Sequence, residues 1–187
     1  MKIRSALLLS LLACTAAASA ATESSIVNEE RELTAGAVAG AYYMIERVTQ
    51  LCVDKGVHDA SWRGALLSPW RDDNRAYLLG TRGYMIRRGQ ELEAKSGTEA
   101  RKAYEAELQN AFAQSIASGE KSLFNDHPAE QSCANIEALI KEGEWDLKTL
   151  VTEQNSGGPV DLDDLARVGT PFAQGENLEP MPFPVLP

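Results

Sequence analysis

The sequence predicts an all-α protein, a small helical bundle of about four main helices with an extended proline-rich C-terminal arm. Three observations predict it. Apolar residues recur at steps of three and four in successive segments, the spacing of one helical face. No stretch keeps the period-two alternation of β-branched and aromatic residues that marks a strand. Six of the eight prolines, Pro159, Pro171, Pro180, Pro182, Pro184 and Pro187, fall beyond residue 155 and leave the middle of the chain free for helices.

The first twenty residues read as an address. Lys2 and Arg4 precede an apolar run from Ser5 to Ala13, and Ala18, Ser19 and Ala20 form a small-residue cleavage point. Those are the parts of a secretory signal peptide, cut after Ala20. The apolar run is about half the roughly 20 residues a spanning helix needs, so no membrane anchor is expected from it. An alternative lies in Leu11, Leu12, Ala13 and Cys14, which have the form of a lipoprotein box, with Cys14 acylated. The mature chain is therefore expected to be periplasmic or secreted, or else anchored through Cys14.

Residues 21–33 are polar and acidic and read as a flexible lead-in. Thr34 can cap a first helix that Gly56 ends, with Val38, Ala41, Tyr42, Ile45, Val48 and Cys52 on its inner face. A second helix is expected from Ser68 and Pro69 to about Lys95, preceded at 59–67 by a short turn. Trp70, Asn74, Tyr77, Leu78, Thr81, Met85 and Leu92 share one arc of it. Gly80 and Gly83 make the other side small, which favours close approach of another helix backbone, as do Gly36 and Gly40 in the first helix. The third helix runs from Thr98 to Gly119, with Tyr104, Leu108, Ala111, Phe112, Ser115 and Ile116 as its stripe. The fourth opens at Asp126 and Pro128, carries Cys133, Ile136, Leu139 and Ile140, and ends at Gly143 or continues through Trp145, Leu147, Leu150 and Val151. The helical domain thus spans 34–154. The arm, 155–187, is expected to be irregular apart from one turn at Asp161 to Arg167, and separable from the bundle.

Cleavage after Ala20 removes two cations and no acid, taking the formal net charge from −9 to −11. Such a chain is unsuited to non-specific binding of nucleic acid, whose phosphates must be met by Lys and Arg. Cys52 and Cys133 remain, and an isolated even pair in an oxidising compartment reads as a disulfide.

No constellation for catalysis stands out. His58 and His127 are the only histidines, and no Gly-x-Ser-x-Gly, His-Glu-x-x-His or Cys-x-x-Cys is present. Asp161, Asp163 and Asp164 lack the glycine and terminal glutamate of a calcium loop and read as a helix start. Neither a metal nor another cofactor is called for. Arg71, Arg75 and Arg82 would project within about 40° of one another on a continuous helix, either neutralised by neighbouring acids or open to an acidic partner. Arg88 falls in the apolar arc and must snorkel or pair. Together these features favour a non-enzymatic protein that binds another protein, of inhibitor, immunity or escort type, with the three arginines as its contact candidates. The alternatives are a small periplasmic enzyme using carboxylates and a lipid-anchored envelope structural protein.

Overall fold

The computed structural model describes residues 25–154 and 161–173. The signal segment with Cys14 and Ala20, residues 155–160, and the prolines beyond Ala173 lie outside the described residues. Those described are helical and contain no strand, in seven α-helices and one short 3-10 turn: α1 (Glu29–Asp54), α2 (Ala60–Asp73), α3 (Arg75–Ser96), α4 (Thr98–Phe124), α5 (Ala129–Lys141), α6 (Leu147–Gln154) and α7 (Leu162–Gly169), the turn being Thr170–Phe172. None is long and apolar enough to cross a membrane.

Helix α1 is the central strut, in contact with each of the other six. It begins at Glu29 rather than after Thr34, because the Asn28 side chain accepts the Arg31 N–H (2.8 Å) and Glu29, Glu30 and Glu32 place negative charge in the first turn. Thr34 is instead buried one turn in, its hydroxyl donating to the Glu30 carbonyl. Gly56, at φ +70°, ends the helix as its sequence position suggests. Val38, Ile45, Val48 and Cys52 are fully buried on one face.

The expected second helix is two helices. Asp59 caps α2 through the Trp62 N–H (2.9 Å), and Leu66, Leu67 and Trp70 bury enough apolar surface to carry the helix straight through Pro69. The break comes at Asn74, with φ −95° and ψ 6°. Its amide donates to the Trp70 carbonyl (2.8 Å), and its side-chain oxygen accepts the Leu147 N–H (2.9 Å). Helix α4 likewise outruns Gly119, because that glycine meets α1 instead of ending a helix. A Cβ there would sit 2.6 Å from Met44 Cγ.

Helix α5 ends at Gly143, φ +77°, as expected, and α6 follows as a separate helix. Cys52 and Cys133 have their sulfurs at bonding distance (2.18 Å) and join α1 to α5, with Cα atoms 5.8 Å apart.

The arm region holds two turns of helix rather than one. Leu162 and Leu165 are buried, and α7 lies across α3 where Gly80 and Gly83 leave room. A methyl on Gly80 would meet the Ala166 backbone, and one on Gly83 the Gly169 carbonyl. This is the close backbone approach expected of those glycines, with α7 as the partner helix. Arg31 clamps Asp164 (2.6 Å), Tyr77 donates to Asp163 (3.2 Å), and the Arg87 guanidinium lies 5.1 Å from the Phe172 ring centre. Residues 161–173 therefore pack on the bundle, with Leu162 and Leu165 in the core.

Candidate functional site

The break at Asn74 divides the arginine stripe between two helices, with Arg71 on α2 and Arg75 and Arg82 on α3. Arg71 turns inward, its Nε (2.9 Å) and terminal nitrogen (2.5 Å) both donating to one Glu46 oxygen. Arg63, two turns earlier on the same helix, takes the other Glu46 oxygen. One carboxylate thus neutralises two guanidiniums at the α1–α2 contact. Arg75 and Arg82 also take part in interactions of their own. Arg88, placed by sequence in an apolar arc, pairs with Glu32 (3.3 Å) and lies 5.8 Å from the Tyr104 ring centre.

That last cluster is a polar knot between α1, α3 and α4. The Tyr84 hydroxyl donates to Glu32 (2.9 Å), and burial, followed by the negative Glu32, pushes both the Tyr84 and Tyr104 phenols well above the ordinary tyrosine range. Both stay protonated at neutral pH, which suits hydrogen bonding in the core and not proton abstraction.

Asp161 caps α7, its carboxylate accepting the Asp164 N–H (2.7 Å), so the acidic triplet is a helix start. Among the described residues, no group of three or more His, Cys, Asp or Glu is arranged to hold a metal ion. His127 is exposed, whereas His58 stacks on Trp62, ring centres 3.9 Å apart and planes within 7°.

The stack marks the edge of a groove between α2 and α5, with a volume of about 330 Å³. Its wall on α2 is built by Trp62, Leu66, Pro69 and Trp70 at steps of four, three and one, with Ala65 beside them and Asp73 at the end. The facing wall is Glu137, Ile140 and Lys141 on α5, closed by Asp146 in the turn before α6. Two latches fix the walls. The Trp62 indole donates to Glu137 (3.1 Å), and the buried Trp70 indole donates to the Trp145 carbonyl (2.9 Å). The hydrogen bond from Lys141, with a smaller one from Trp62, holds the Glu137 carboxyl below the usual glutamate range. From behind, the Cys52–Cys133 link ties α5 to α1 one turn before Glu137. The groove is therefore a preformed apolar slot with a charged rim, at the small end of the roughly 300–1,000 Å³ typical of ligand sites.

Sequence reasoning missed the groove because it started the helix at Ser68. Started at Asp59, the same residues show the stripe Trp62, Leu66, Pro69, Trp70 and Asp73 on one face.

Compared with known protein families, with curated proteins and with solved structures, the chain matches none. The groove has to be read from its own chemistry.

Proposed function

We propose that this is an exported helical protein that acts by binding another protein, with the slot between α2 and α5 as its docking site. The single observation that carries this reading is a preformed groove with apolar walls whose rim holds Asp73 and Asp146, while the candidate arginine Arg71 is taken up internally by Glu46. Tryptophan in a well-packed pocket is among the features that concentrate binding energy at protein interfaces. Export rests on the signal-peptide pattern of residues 1–20 and is supported by the Cys52–Cys133 pair.

A carboxylate enzyme is the weaker reading. General acid catalysis at neutral pH needs a carboxyl held protonated by its surroundings, and Glu137, whose shift is resolved, moves the opposite way.

The test is affinity purification of the tagged mature protein from its native envelope fraction beside an Ala65→Arg variant. Ala65 is exposed on the groove wall, so the arginine fills the slot without disturbing the core. A partner recovered with the parent protein and lost with the folded variant supports the reading. Equal recovery with both overturns it.

A further inference from the structure

Resting on that reading of the groove, we infer that its occupant is an arginine side chain of the partner, flanked by apolar residues. The chemistry of the walls selects it. Asp73 and Asp146 present carboxylates to the slot, and among the described residues neither is engaged in an ion pair. Lys141, the cation of the lining, is taken up by Glu137 at 2.5 Å, so it does not offset those two charges. The slot therefore offers two charged acceptors beside apolar walls, and these call for donors.

Among side chains, arginine answers this set most fully. Its guanidinium carries five N–H donors in a flat fork that meets carboxylates in pairs. The same plane lies well on tryptophan, and Trp62 lines the wall with one face against His58. Its aliphatic stem suits the surface of Leu66 and Ile140. The volume fits one or two side chains rather than a whole helix.

The experiment is a nuclear magnetic resonance titration of the ¹⁵N-labelled mature chain, disulfide intact, following the Trp62 indole N–H as assigned by Trp62→Phe. The probes are acetyl-Ala-Leu-Arg-Leu-Ala-amide and the same peptide with citrulline, the uncharged isostere of arginine. The arginine peptide should saturate with a Kd of about 1 mM, at least about fivefold tighter than the citrulline peptide, as expected for a partly exposed charge contact. Asp73→Asn combined with Asp146→Asn should abolish that difference while circular dichroism stays unchanged. Should the double variant unfold, each single substitution is expected to reduce the preference. Equal affinity of the two peptides overturns the arginine assignment and leaves the groove as a docking site. If neither peptide shifts any groove resonance, both the arginine assignment and the docking site are overturned.

Discussion

The side-chain oxygen of Asn74 accepts the backbone N–H of Leu147 at 2.9 Å, joining the break between α2 and α3 to the first residue of α6. Leu147 is 73 residues further along the chain, and its N–H is one of those a helix start leaves without an internal partner. Asn74 is 2% exposed, and its amide nitrogen is also used, on the Trp70 carbonyl. One residue thus ends a helix, starts another and seals the end of the groove next to Asp73 and Asp146.

Asn74→Ala removes both bonds and buries a main-chain N–H with no acceptor. A loss of about 2–3 kcal/mol is expected, since a buried orphan polar group costs about 1–3 kcal/mol. Urea unfolding of the disulfide-intact protein measures it. A change under about 0.5 kcal/mol would show that water replaces the side chain at little cost.

The α3–α7 contact gives a second expectation. Gly83→Ala sets a methyl against the Gly169 carbonyl, backbone against backbone, which the neighbours cannot relieve by rotating a side chain. Overpacking of this kind costs about 1–3 kcal/mol. Loss of hydrogen-exchange protection at the Leu165 amide, with α4 protection intact, is the signature expected. A chain truncated after Gln154 should melt several degrees lower, because Leu162 and Leu165 are each worth about 1.5–3 kcal/mol of burial.

The bundle's periodicity was readable, and the joints were less so. Val38, Ile45, Val48 and Cys52 betray their face by spacing alone, and Gly80 and Gly83 betray a close neighbour. Asn74 was counted into an apolar arc because spacing registers that a residue faces inward, not that its amide serves two distant main-chain groups. Pro69 looked like a start since proline favours first turns, yet the burial of Leu66, Leu67 and Trp70 outweighs the one hydrogen bond it forfeits. Leu162 and Leu165 went unseen because two inward residues in a two-turn helix are too few for a period. The groove needs α2 and α5 side by side, a relation that local spacing does not encode.

Acid should loosen α7 before the bundle. The hydrogen bond from Arg31 holds the Asp164 carboxyl below the usual aspartate range. A depressed folded value means that the pair contributes stability fully above the unfolded value of about 3.9, and loses it as pH falls through the lower folded value. Limited proteolysis near Arg167 should therefore quicken below about pH 4 in the parent protein. In Arg31→Gln the cleavage should be faster at pH 7 as well. Identical pH profiles for the two proteins would remove the ion pair from the clamp.

The Cys52–Cys133 link closes a span of 81 residues, for which chain entropy gives about 4–5 kcal/mol as an upper figure. Alkylation of the non-reduced mature protein is expected to find no free thiol. Reduction should lower the melting temperature and free the α5 wall of the groove from α1. Two reactive thiols in the native protein would contradict the pairing.

The most direct measurement on the docking site is photo-crosslinking in the native envelope fraction, with benzoylphenylalanine placed at the exposed position 141 on the rim of the groove or at position 106 on the exposed side of α4. Position 141 is expected to give one discrete protein adduct, reduced by Asp73→Asn with Asp146→Asn, and position 106 none. An adduct from position 106 alone, or equal adducts from both positions, would contradict the groove as the docking site.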